Sequence, residues 1–218
     1  MAIDSFPAGP PPRRIPLWLK LGWTAWILAW APVYWRHYGP ANFLWFCDLG
    51  NFALGAALWL ESPLLFSWQA VSLLVVQTHW TIDVAGRLAL GFHPLGGSEY
   101  MFDTAIPPGV RLLSLFHAAT PPLLVWALCR LGYDRRAWRA QTLTCWVVLP
   151  LSYLAGPALD INWVWGMFDT PQRSLAPGAY LAFCLAAYPL LLYLPTHLVL
   201  QWLVPRMTTR AGLVKRGA

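Results

Sequence analysis

The sequence predicts an all-α integral membrane protein with about six transmembrane helices in one bundle, and three observations carry that prediction. Of its 218 residues, 58% are hydrophobic and 11% charged, with a mean hydropathy of +0.49, whereas a soluble domain carries roughly a quarter charged residues. The apolar residues fall into long continuous runs, near the ~20 residues a helix needs to cross hydrocarbon. Continuous runs point to helices, since barrel strands alternate polar and apolar positions. Basic residues are also shared unevenly between the connecting loops, as they are in multi-span proteins.

Residues 1–16 are Pro-rich, end near Arg13 and Arg14, and read as a disordered basic lead without the form of a cleavable signal peptide. Spans follow at about Leu17–Trp35, Ala41–Leu60, Leu64–Leu90, Arg111–Leu131, Ala140–Gly156 and Gly178–Val204. Residues 17–204 thus form one transmembrane domain, and residues 205–218 a basic tail. An even number of spans puts both termini on one side, with Lys20, Arg130, Arg135, Arg136, Arg139, Arg206, Arg210, Lys215 and Arg216. The other side holds chiefly Arg36, Arg87, Arg111 and Arg173, accompanied by Glu99, Asp103, Asp160 and Asp169. This asymmetry predicts an inner-membrane protein with cytoplasmic N- and C-termini. The outer side carries the longest loops, Gly91–Gly109 and Pro157–Pro177, a length at which loops often act as lids or binding segments. The net charge of +6 sits in loops and termini, so membrane lipids, not nucleic acid, are the expected partners. Cys47, Cys129, Cys145 and Cys184 lie in apolar segments without metal-type spacing and read as buried thiols.

Within the third span, His79, Asp83 and Arg87 recur every fourth residue and share one helical face. Ionisable groups at membrane depth are costly and mark a site or pathway. The structural alternative is an ion-pair ladder in which Asp83 bridges His79 and Arg87. Cys47 and Asp48 lie in the first turns of the second span, His117 in the second turn of the fourth, and Asp160 and Asn162 just after the fifth. At ~1.5 Å of rise per residue these groups share the outer third to half of the membrane. They predict one outward-facing polar pocket, its mouth shaped by Trp163 and Trp165. Asn42, Asn51 and Gln77 read as interhelical glue. His197 lies near the inner side, and His37 and His93 read as loop residues without a role.

A thiol, an imidazole and a carboxylate at one depth suit acyl transfer. Cys47 is then the nucleophile, His117 the base and Asp48 the carboxylate of the catalytic set. Arg87 holds a phosphate or oxyanion, and Asp83, His79, Asp160 and Asn162 complete the substrate-binding side. That reading needs no cofactor. A metal reading uses His79, His117, Asp83 and Asp48 for zinc or iron, and a haem reading uses His79 and His117 as axial ligands; neither has a diagnostic motif. The alternative from another class is a non-enzymatic membrane subunit or small-ligand carrier.

The run Ala41-Asn-Phe-Leu-Trp-Phe-Cys-Asp-Leu-Gly50, the His117 helix and Asp160-Ile-Asn-Trp-Val-Trp-Gly166 resemble a group of uncharacterised bacterial small integral membrane proteins. More distantly, the order of features is similar to the TMEM164/YwaF family. That family has a cysteine early in one span, a histidine in a later one, and an Asn-aromatic segment before a last span like Tyr180–Pro195. The resemblance implies a phospholipid acyltransferase whose cysteine and histidine map onto Cys47 and His117. Asp48 and the His79/Asp83/Arg87 set have no counterpart assigned in that family.

Overall fold

The computed structural model describes residues 15–210, so Arg13, Arg14, Lys215 and Arg216 lie outside the described residues. Among the described residues the fold is all-α, with six helices and no strand. The first three are α1 (Leu17–Tyr38), α2 (Phe46–Leu60) and α3 (Pro63–Leu90), with a short 3-10 helix at Pro40–Leu44 joining the first two and a tight turn joining the second and third. The fourth, α4, runs Pro108–Leu131 and is broken at Ser114 and Leu115. The fifth, α5, is Ala137–Leu154. The last, α6, joins Pro177–Ala187, a π-helical turn at Tyr188–Tyr193, and Leu194–Arg210, so helix continues past Val204.

The ends of these helices follow local chemistry. Pro63 starts α3 at a position whose N–H is not needed, and the Ser62 hydroxyl accepts the Leu65 N–H at 3.3 Å. Gly91 ends the same helix at φ 83, a left-handed conformation that glycine adopts without steric cost. Pro108 and Pro177 open α4 and α6 in the same way as Pro63.

Two helices, Pro108–Leu131 and Pro177–Thr208, are long and apolar enough to cross a membrane. Three of the others miss that criterion for identifiable reasons. The 15 residues of α2 rise only about 22 Å. The tryptophans of α1 (Trp18, Trp23, Trp26, Trp30, Trp35) count as polar on hydropathy scales, although interfaces favour them. Gln69, Gln77, His79, Asp83 and Arg87 lower the hydropathy of α3.

Helix α3 is the axis of the bundle and packs against α2, α4, α5 and α6. Leu54, Leu58, Phe66, Leu73, Leu124 and Leu149 are buried along it. The outward surface is apolar as well: Leu28, Leu60, Leu154 and Leu191 are each at least 71% exposed. Exposed apolar side chains in this number suit lipid contact better than water. Trp30 is fully enclosed by the rings of Tyr34, Phe43, Phe52 and Phe116, with centroids 5.0–5.9 Å away. That cluster fixes α1 in rotation and turns Tyr34 and Tyr38 toward the site.

Candidate functional site

At one end of the bundle α1, α2, α3, α4 and α6 enclose a chamber of about 270 Å³ beneath the two long loops. Cys47, Asp48, His79, His117 and Asn162 all line it. Residues that share only a depth in the sequence therefore share a cavity. Asp83, Arg87 and Asp160 do not line it. Most of the wall is aromatic or aliphatic, and Gly97, Tyr100 and Ile106 of the first loop and Trp163 of the second contribute to it.

Asn162 positions the α2 end of the chamber. It sits at φ 56, a left-handed conformation that asparagine tolerates better than most residues. Its Oδ1 accepts the Phe46 N–H at 3.0 Å, one of the orphan donors at the start of α2. Its Nδ2 donates to the Leu44 carbonyl at 2.8 Å and the Ser152 hydroxyl at 2.9 Å. The expected role in binding substrate therefore gives way to a structural one, since both ends of the amide are engaged by protein. Asp160, expected beside it in the site, instead accepts the Trp165 N–H at 2.7 Å and shapes the loop. We expect Asn162→Ala to cost about 3 kcal/mol, because three hydrogen bonds go and the Phe46 N–H is orphaned. Thermal unfolding in detergent reads this loss.

Held in this way, α2 presents Cys47 and Asp48 in its first turn. The Cys47 thiol donates to Asp48 Oδ1 at 3.8 Å, and Asn42 Nδ2 donates to Asp48 Oδ2 at 2.6 Å. As the second residue of α2, Cys47 has an amide N–H without an i−4 partner inside the helix. Helix N-termini favour negative charge, so an amide in this position suits a developing oxyanion.

His117 enters from α4 just after the break. Its Nδ1 lies 2.7 Å from the Ser114 carbonyl, which can only accept, so Nδ1 carries the hydrogen. In the neutral ring Nε2 is then the basic nitrogen, and it has no protein partner among the described residues. Stacking on Trp80 (4.7 Å) and Phe116 (4.1 Å) holds the ring plane. Pro121 cannot donate to the His117 carbonyl, and the Thr81 hydroxyl reaches it at 3.4 Å instead. No hydrogen bond joins the Cys47 thiol to His117: in this structure the thiol's partner is Asp48.

The His79/Asp83/Arg87 face does not form an ion-pair ladder. Each of the three takes a residue of the loop that follows α3. His79 Nε2 lies 3.0 Å from the Gly96 carbonyl, and its ring stacks on Phe168 of the second loop at 5.7 Å. Asp83, fully buried, accepts from the Leu95 and Gly96 N–H groups at 2.8 and 2.9 Å and from the Ser98 hydroxyl at 2.5 Å. It also meets His93 Nδ1 at 2.8 Å. Arg87 places its guanidinium 5.5 Å from the Phe102 ring centre. Pro94 lies so close to Gly86 that a Cβ there would fall 2.5 Å from its ring. The face is a seam that binds the loop over the chamber, and the expected bridge by Asp83 between His79 and Arg87 is replaced by these loop contacts.

Three further expectations change for the same reason. Arg87 cannot anchor an anionic head group in a chamber it does not line. The set His79, His117, Asp83 and Asp48 does not converge as metal ligands, because Asp83 is spent on the loop; among the described residues no three His, Cys, Asp or Glu side chains come together. His79 is also a poor axial partner for haem, with Nε2 held by Gly96 and its face covered by Phe168.

Sequence reasoning missed several residues. His93 and Ser98 complete the Asp83 clamp. Tyr34 shares a hydrogen bond with Ser114 at 2.6 Å, and Tyr100 receives one from Trp80 at 3.1 Å. Burial pushes the Tyr100 phenol well above its usual range, so it stays a neutral group at the roof. The i, i+4 spacing of Tyr34 and Tyr38 and the Gly96-Gly97-Ser98 turn were the available signals. No known family, curated protein or solved structure matches this chain.

Proposed function

We propose that this chain is a six-span inner-membrane protein with cytoplasmic termini whose outer chamber carries out lipid acyl transfer. The observation that carries this reading is the convergence of Cys47 on α2 and His117 on α4 in one cavity, with Nε2 as the open nitrogen of the imidazole. The distant likeness to the TMEM164/YwaF family points the same way. A chamber of about 270 Å³ suits a head group and its ester, leaving the acyl chains in the bilayer.

In this scheme the Cys47 side chain turns from Asp48 toward His117, whose Nε2 takes the thiol proton. The sulfur attacks the ester carbonyl of the lipid, and the Cys47 amide N–H donates to the oxyanion. Collapse of the adduct breaks the ester C–O bond and leaves a thioester on Cys47. The departing alkoxide receives the proton held by His117. A second lipid hydroxyl, deprotonated by the same nitrogen, attacks the thioester, and the thiolate regains a proton.

The test is transfer of a labelled acyl chain between lipids by the purified protein. His117→Gln is expected to lower the rate by about 10²–10⁴-fold, with thermal stability nearly kept. Wild-type protein that transfers no acyl group from any ester lipid contradicts the reading. A carrier function is the second reading, favoured by the contact of the Cys47 thiol with Asp48 instead of His117. It predicts ligand binding without turnover, unaffected by Cys47→Ala.

A further inference from the structure

We infer that the chamber selects an amphiphile with a cationic head group, its ammonium seated against Asp48 and the rings of Tyr34 and Tyr38. The inference rests on the reading of the chamber as a lipid site and names the substrate class of that site.

Charge is the first argument. Among the described residues no Lys or Arg lines the chamber. Arg87 is committed to Phe102, and Arg111 Nη1 donates to the Met101 carbonyl at 3.0 Å. Asp48 does line it, only 2% exposed, and its partners Asn42 and Cys47 are uncharged donors. A carboxylate at membrane depth is penalised unless a cation or a proton balances it, and the chamber itself supplies no cation. A phosphate placed here would meet a carboxylate and no basic side chain, so an anionic head group is disfavoured.

The shape of the wall is the second argument. Tyr34 and Tyr38 stand edge to face at 5.2 Å, and both line the chamber together with Asp48. Trp45 and Trp80 add two more ring systems to the same wall. Aromatic faces beside a carboxylate are the arrangement that attracts alkylammonium groups. His79 does not compete for this role, being held by Gly96 and Phe168.

The experiment measures binding to the full chain in a maltoside detergent, whose head group is uncharged. Three probes share one chain length: tetradecyltrimethylammonium, tetradecanol and tetradecyl phosphate, each corrected against empty micelles. The ammonium is expected to bind about tenfold more tightly than the alcohol, and the phosphate most weakly. Asp48→Asn, which keeps an acceptor for Asn42, is expected to bring the ammonium down to the level of the alcohol. Equal binding of ammonium and alcohol, or preference for the phosphate, overturns the proposal and leaves a lipid site standing. Binding of none of the three overturns it together with the reading beneath it. Both comparisons use wild-type protein, so the outcome does not depend on how well the variant folds.

Discussion

Asp83→Ala is expected to destabilise the protein by about 3–5 kcal/mol, the largest effect on stability of any single change outside the apolar core. One carboxylate receives two backbone N–H groups, the Ser98 hydroxyl and His93 Nδ1, all within 2.9 Å. Alanine removes every acceptor and leaves the Leu95 and Gly96 N–H groups without the carboxylate that holds them. The loop from Phe92 to Pro107 should then lift from α3 and, because Gly97 and Tyr100 line the chamber, open its roof. Arg87→Ala is the control, since it loses one cation–π contact worth about 0.5–1 kcal/mol. Thermal unfolding and limited proteolysis of the loop report both changes. Equal stability of Asp83→Ala and wild type contradicts the role assigned to this seam.

Cys47→Ala is expected to abolish acyl transfer while the fold persists. The sulfur makes one long hydrogen bond, to Asp48 at 3.8 Å, and Asn42 continues to donate to that carboxylate at 2.6 Å. Losing the thiol therefore costs little in packing, about 1 kcal/mol. In the proposed reaction its loss removes the atom that forms the covalent intermediate, so no general base can compensate. The drop in rate should exceed that of His117→Gln, because water or solvent hydroxide can replace a base but nothing replaces the nucleophile. A Cys47→Ala variant that turns over normally removes the covalent mechanism.

Much of the helical order was legible because proline, glycine and serine punctuate the apolar runs. Ser62-Pro63 and Gly91 bracket α3, and Pro177 opens α6. The break at Ser114 and Leu115 was not legible, since the apolar run continues through it. It matters because the Ser114 carbonyl there accepts both the His117 backbone N–H at 3.0 Å and the ring Nδ1–H at 2.7 Å. The π-helical turn at Tyr188–Tyr193 was hidden for the same reason, and it carries Tyr188 and Tyr193 to the chamber wall.

At the site, helical period identified a common face for His79, Asp83 and Arg87 but not the partner of that face. A polar stripe at membrane depth can pair within itself, with another helix or with a returning loop, and spacing does not distinguish these. The chain takes the third course, through His93, Pro94 and the Gly96-Gly97-Ser98 turn, where small residues let backbone N–H groups approach a carboxylate. His93 was passed over because a loop histidine has no periodic context. Cys47, Asp48 and His117 were identified by residue type and depth, and their common cavity depends on the rotations of α2 and α4, which depth does not specify.

The most direct test of the chemistry is the intact mass of the full-length protein after brief incubation with an ester lipid and no acceptor. The account predicts an added mass of one acyl group, mapped to Cys47, cleaved by neutral hydroxylamine as a thioester and missing from Cys47→Ala. Acyl mass on another residue, or turnover with no acyl-enzyme at Cys47 under single-turnover conditions, contradicts it.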